Sequence, residues 1–328
     1  METKPATCTI EAPCKINLHL AIGERRPDGF HELESLFAPL DFHDTLRFEC
    51  GGKDGESSLE MIREGPVEDI PNERNLVLKA VSLFREKTGF KSGLCIRLQK
   101  RVPSGAGLGG GSSDAASSLL ALNALAGDAL PRDELRKMAA VLGSDVPFFL
   151  GGTDFICPSE ICLPAAFVGG RGELVKPVKT PQELWVLLAK PDFSSDTAMA
   201  FRLLDQAREG DRSPGDRFYL SPKVKLPADI LTSALEREPE TWPFYNDFLP
   251  VFLTSGSRQN ADQYQTMLAN LKKAGASFVG LSGAGSCCFG IFRARETAEQ
   301  AEREIKTYGN FVKLTFFLAQ KTIQVLEY

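Results

Sequence analysis

The chain is short of several things, and each shortage removes a class of function. No apolar run approaches the roughly 18 residues of a membrane span: the longest stretches, Leu184–Ala189 and Val146–Leu150, are a third of that or less. Met1–Ala6 lacks the apolar core of an export signal, so neither a membrane association nor secretion is expected, and the expected location is cytoplasmic. Eight cysteines are scattered without a C-x-x-C pair, and the three histidines (His19, His31, His43) have no ligand-like spacing from any cysteine pair. A disulfide framework and a structural zinc are therefore set aside in favour of small buried thiols. Lys plus Arg number 38 against 43 Asp plus Glu, a net charge of −5 with no basic stripe, so no nucleic-acid partner is expected. No internal repeat recurs at a period of tens of residues.

What remains is an ordinary globular composition, 43% hydrophobic and 25% charged, over 328 residues, a length that suits two domains. Thr9–Leu20 alternates Ile10, Ala12, Cys14, Ile16, Leu18 and Leu20 with mostly polar residues, the pattern of a half-buried strand. After the turn RPDGF two more extended segments are expected, Glu34–Asp41 and Asp44–Glu49, then the loop GGKDGESS. A helix over Asn75–Lys87 and a strand over Leu94–Leu98 follow, then a glycine loop, a buried Ala/Leu-rich helix over Ala115–Ala126 that Asp114 or a neighbouring serine could cap, and a helix over Pro131–Leu142. In the second half, strands are expected at Asp154–Cys157, Cys162–Val168 and Leu184–Ala189, and Asp205–Pro227 reads as a long exposed excursion. The order after it is helix (Asn260–Ala274), strand (Phe278–Leu281), loop SGAGS, strand (Cys287–Phe292), helix (Thr297–Lys306) and strand (Val312–Phe317), which suggests a split ferredoxin-like unit.

The densest signal is PSGAGLGGGSS, which runs from strand to helix through Pro103, Ser104, Gly105, Ala106, Gly107, Leu108, Gly109, Gly110, Gly111, Ser112 and Ser113. Bare amides running into a helix N-terminus suit a polyphosphate. Gly105, Gly107 and Gly110 satisfy the dinucleotide spacing, but no second parallel strand ending in an acidic residue follows. A P-loop would need a lysine after the last glycine, where Ser112 stands, and a protein-kinase loop would need a valine there. Two further residues carry open alternatives. Lys15 is either an edge-strand charge or a reactive ammonium, and Asp145, ahead of the apolar VPFFL, is either a helix cap or a catalytic carboxylate.

PSGAGLGGGSSDAA resembles the central phosphate-binding motif, P-x-x-x-G-L-G-S/G-S-S-A/D-A, of the kinases named for galactose, homoserine, mevalonate and phosphomevalonate, the GHMP family. APCKINLHL, from Ala12, resembles that family's N-terminal motif and LSGAGSCCFGIF, from Leu281, its C-terminal one. Within the family, PCKINLHL, RPDGFHELES and GSDVPFFLGG together resemble the kinases that phosphorylate 4-diphosphocytidyl-2-C-methyl-D-erythritol, with Phe30 where those usually have tyrosine.

The resemblance implies an α+β, two-domain GHMP fold. Residues 1–155 would form a ribosomal-protein-S5-like N-terminal domain and residues 156–317 a ferredoxin-like C-terminal one, with 318–328 a candidate to return to the first. By the same resemblance the nucleotide is ATP and the partner is a small cytidylylated methylerythritol on a monomer or weak homodimer; Mg2+ is expected because phosphoryl transfer needs the phosphate charge neutralised, with the ion held mainly by nucleotide oxygens, water and a loop hydroxyl. Asp145 would be the base, Lys15 its partner and Pro103 to Ser113 the triphosphate cradle, with Asn75 and Lys100 near the nucleotide. Phe30 and His31 would meet the cytosine, with Phe201 stacked opposite and Asn17 and Thr197 nearby. The rival readings are another small-alcohol kinase, for homoserine or mevalonate, and a catalytically silent ATP sensor, against which the joint presence of Lys15 and Asp145 argues.

Overall fold

The computed structural model describes residues 6–51, 53–68, 70–151, 156–157, 160–181, 183–210, 226–308, 311–318 and 320–326. Its first half is built on β1 (Thr7–Arg25) and β2 (His31–Cys50), paired antiparallel along their length. The two short segments expected after the first turn are one strand, because register shifts between Pro13 and Lys15 and between Asn17 and His19 let β2 stay paired across the bend. Nor is β1 half-buried. From Ala12 to Ile22 both of its faces are covered, and its polar face lies under the glycine loop and a segment of the second half, where Leu20 N–H donates to Tyr245 O at 2.8 Å.

A crossover follows. β3 (Ser57–Arg63) runs parallel to β4 (Leu94–Lys100), joined through α1 (Leu76–Thr88). The sequence pattern missed β3 because it is a mostly exposed edge strand with only two inward apolar residues, Leu59 and Met61. α2 (Gly110–Leu125) is buried almost throughout against β1 and α1, and α3 (Arg132–Leu142) and the single turn α4 (Val146–Phe149) complete the layer. α2 therefore begins five residues before the helix read from composition: its first turn is glycine, which local propensity marks as loop. Short strands β5 (Ile156–Cys157) and β6 (Glu160–Cys162) and the hairpin β7 (Ala166–Gly170) and β8 (Leu174–Pro177) extend the same sheet. The strand expected over Asp154–Cys157 lies partly outside the described residues.

The second sheet has the order β10 (Phe278–Leu281), β11 (Cys288–Phe292), β9 (Trp185–Lys190), β12 (Phe311–Phe316), every pair antiparallel. Its helices are α5 (Thr197–Gly210), α6 (Ala228–Ala234), α7 (Phe248–Thr254), α8 (Arg258–Lys273) and α9 (Arg295–Ile305). The expected excursion from Asp205 is helical as far as Gly210, and residues 211–225 lie outside the described part. The last strand, β13 (Gln320–Leu326), pairs with Thr7–Ile10 of β1 and so crosses back to the first sheet. Among the described residues, no helix is long and apolar enough to cross a membrane.

Candidate active site

Two glycine loops meet in the cleft between the sheets. Gly105, Gly107 and Gly109 all take left-handed φ, and the first loop is stitched to the second, residues 282–286, by Ser286 N–H to Gly105 O (3.2 Å) and Ser282 Oγ to Gly107 O (2.8 Å). At Gly107 a Cβ would lie 2.0 Å from Ser282 O, so that glycine is demanded by loop against loop. Gly111 is different: a Cβ there would meet only Leu76 Cδ1, at 3.8 Å, because it faces a cavity. That cavity, about 400 Å3, is lined by residues 103–112 together with Lys15, Asn17, Lys100, Asp145, Thr197, Phe201 and Phe248. The N–H groups of the first turn of α2 open toward it, an anion site by geometry.

Lys15 stands at the bulge of β1, its backbone N–H given to Leu108 O, and its side chain is 2% exposed beneath the loop. Its ammonium donates to Asn17 Oδ1 (2.5 Å) and Gly107 O (2.9 Å), lies 4.7 Å from the centre of the Phe37 ring, and is 3.5 Å from Asp145 Oδ2. Burial lowers the Lys15 pKa below the usual lysine value, against the opposing pull of the Asp145 carboxylate. Asp145 precedes α4 but has helical φ and ψ and makes no side-chain cap, which leaves its carboxylate, 32% exposed, for Lys15 and the cavity. The pair can accept a proton from a hydroxyl and stabilise the charge left behind.

Behind the loop lies a second lysine cluster. Lys100 Nζ donates to Asp44 and, at 2.8 Å, to Asp114 Oδ2, all three side chains within 4% of complete burial. Asp114 does not cap α2, whose N-cap is Gly109; it is a buried residue of the second turn.

Family models of the GHMP kinases match residues 75–153 (N-terminal domain) and 246–310 (C-terminal). The chain is 33% identical, over 92% of its length and 95% of the relative's, to the 4-diphosphocytidyl-2-C-methyl-D-erythritol kinase of Thermodesulfovibrio yellowstonii. To that of Nitratidesulfovibrio vulgaris it is 34% identical, over 92% and 96%. A crystal structure of 4-(cytidine 5'-diphospho)-2C-methyl-D-erythritol kinase superposes with a TM-score of 0.70 at 32% identity, covering 94% of this chain and 99% of that one. The chain belongs to the 4-diphosphocytidyl-2-C-methyl-D-erythritol kinase family of GHMP kinases. The L. major mevalonate kinase shares the fold, with a TM-score of 0.62 at 16% identity over 97% of each chain. The fold is that of a GHMP small-molecule kinase, α+β and in two domains.

In this GHMP kinase the residues expected at the site fall into three groups. Lys15, Asn17, Pro103 to Ser112, Lys100, Asp145, Thr197 and Phe201 line one cavity. Ser113 is fully buried one residue beyond it, with its hydroxyl unpartnered, and Asn75 caps α1 through Val77 N–H (2.9 Å). Phe30 stands apart at 47% exposure, its ring covered by the Arg171 guanidinium at 3.8 Å. His31 stacks on Phe201 (centroids 4.9 Å, 19° between planes), with Nε2 2.8 Å from Asp205 Oδ1. The ring stacked on Phe201 is that of His31. The sequence reading missed Asp44, Asp205, Ser282 and Asn246, whose side-chain amide donates to Leu281 O and Gly283 O at 2.8 Å and holds the second loop. Each acts across a large sequence separation, where no local pattern points.

Proposed function

We propose that the chain transfers the γ-phosphoryl group of ATP to the 2-hydroxyl of 4-diphosphocytidyl-2-C-methyl-D-erythritol, giving ADP and the 2-phosphate. The observation that carries the chemistry is Asp145: an uncapping carboxylate 3.5 Å from a buried ammonium, in the same cavity as the N-terminus of α2. The first-turn amides of α2 and the glycine loop hold the phosphates, and Asp145 accepts the proton of the acceptor hydroxyl. As the new O–P bond forms, the bond from the γ-phosphorus to the β-phosphate oxygen breaks and ADP leaves. Lys15, 3.5 Å from Asp145 and held by Asn17 and Gly107, places a positive charge beside the forming alkoxide. Phe201 and Thr197, in the cavity lining, mark the substrate end, with His31 stacked on Phe201.

Magnesium, when bound, neutralises the phosphate charge. Among the described residues no group of three or more His, Cys, Asp or Glu could hold a metal ion, and Asp145 is the one carboxylate lining the cavity. That donor set fits an ion carried on the nucleotide's own oxygens and not a protein cage.

The test is ADP release with Mg-ATP and, in turn, the cytidylylated methylerythritol, homoserine and mevalonate. Turnover is expected with the first alone. Turnover with homoserine or mevalonate instead would overturn the substrate, and nucleotide binding without turnover on any acceptor would favour a silent sensor. A Gly111→Val variant tests the cradle separately. It meets little in the protein and enters the cavity, so it should abolish tight nucleotide binding without unfolding the chain.

A further inference from the structure

The two ends of the glycine loop are tied together from behind. Asp44 Oδ1, on β2, accepts the backbone N–H of Arg101 (2.5 Å) and Val102 (2.8 Å), where β4 runs into the loop, while its Oδ2 accepts from Lys100 Nζ. Lys100 in turn reaches Asp114 Oδ2, one turn into α2. A Cβ at Gly110 would lie 2.9 Å from Lys100 Nζ, so this ammonium abuts the residue that opens the helix. Strand end, loop and helix start therefore share one charged knot.

The knot has an uneven set of partners. Asp44 has three donors; Asp114 has one, and its Oδ1 is buried without any hydrogen bond. Two carboxylates on one buried ammonium leave an excess negative charge, which is costly away from water, and a proton on the poorly solvated carboxyl removes it. We propose that Asp44, Lys100 and Asp114 form a positioning clasp that fixes both ends of the phosphate loop and, through the proton held on Asp114, tunes the loop's affinity for nucleotide phosphates. This rests on the loop being the phosphate cradle. Burial, opposed by Lys100 and reinforced by Asp44, pushes Asp114 up to about 8, so the proton is lost just above neutrality. Among the described residues the charged groups facing Asp114 are Lys100 of β4 and Asp44 of β2; the further titratable groups in the cavity wall are Lys15 of β1 and Asp145 ahead of α4.

Below that value the clasp is neutral, and above it one negative charge stands behind the helix end that faces the phosphates. Calorimetric titration of the full chain with MgADP, from about pH 6.5 to about 9.5, reads the effect. Wild-type affinity should weaken about threefold to tenfold as pH rises through about 8, the size of a half-unit to one-unit linkage. Asp114→Asn has no proton to lose and should stay at the tighter, low-pH affinity throughout. Proton uptake on binding, measured near pH 8 on wild type in buffers of different ionisation enthalpy, gives the same linkage without any variant. A wild-type affinity flat with pH, no uptake, or an Asp114→Asn variant that keeps the wild-type slope each overturns the proposal, the last assigning the slope to Lys15. If Gly111→Val binds MgADP like wild type, the cradle reading itself fails and the clasp's link to nucleotide falls with it.

Discussion

Two buried lysines flank one glycine loop, and they are built for opposite tasks. Lys15, on the cavity side, has a carboxylate partner that is a third exposed and held 3.5 Å away, and burial drags its pKa down. Lys100, which also reaches the cavity wall, is gripped by two sealed carboxylates. Burial pulls it down too, but Asp114 and Asp44 more than offset this and its pKa is raised. A loose pair beside a cavity keeps a carboxylate available for a substrate proton. A tight knot of two carboxylates on one ammonium leaves that ammonium little freedom and serves to hold backbone.

Substitutions can break the comparison, beginning with the largest effect. Asp145→Asn should cut turnover by about two to four orders of magnitude with nucleotide affinity retained, since it removes the proton acceptor and little packing. Steady-state kinetics beside a nucleotide titration decide it, and wild-type turnover would take Asp145 out of the chemistry.

The same replacement at the two lysines should then give different losses. Lys100→Met leaves two buried carboxylates without their shared cation and should lower unfolding free energy by about 3–5 kcal/mol in denaturant titrations. Lys15→Met, whose carboxylate partner can turn to water in the cavity, should stay folded and lose turnover by about two orders of magnitude. Equal unfolding losses at both positions would erase the distinction.

The shifts also predict opposite pH dependences of stability. Lys100, held up, contributes stability present below the unfolded lysine value of 10.5 and lost as pH rises through its raised folded value. Lys15, pushed down, binds its proton less tightly folded than unfolded, so over the window between its lowered value and 10.5 its contribution rises with pH. Alkaline unfolding curves of the two methionine variants against wild type should therefore diverge in opposite directions. The smallest effect belongs to Ser282→Ala, which removes one link between the loops and should cost about 1 kcal/mol of stability, measured by thermal or denaturant unfolding.

The reacting side of this comparison was legible in the sequence and the holding side was not. Lys15 and Asp145 sit in short segments whose pattern is odd for structure alone, a lysine in an apolar alternation and a carboxylate opening an apolar turn, and the glycine loop announces itself by composition. Asp44 gives no such sign. Its partners lie 56 to 58 residues away, and only the folded sheet brings β2 alongside β4. Asp114 and its neighbouring serines look like candidate caps because glycines hide the true start of α2, whose N-cap is Gly109. In the fold, the second sheet's Phe278–Leu281 and Cys288–Phe292 strands followed from clean apolar runs. α6 and α7 were missed because each is only seven residues long, whereas α5 carries a start signal in SSDT, where Asp196 Oδ1 accepts Met199 N–H, that the sequence reading passed over.

The pairing of β13 with Thr7–Ile10 has a consequence for how the molecule is made. Those two strands stand at opposite ends of the described chain, and the whole second sheet is inserted between them in sequence. During synthesis β1 emerges early, yet the backbone edge that β13 will cover stays open until the intervening residues have been translated and have folded. Contacts of such long range close slowly, and an uncovered strand edge is a template for pairing with other chains. The nascent protein therefore carries its greatest hazard of aggregation while Lys15, on that same β1, has already been made but its sheet is not yet closed.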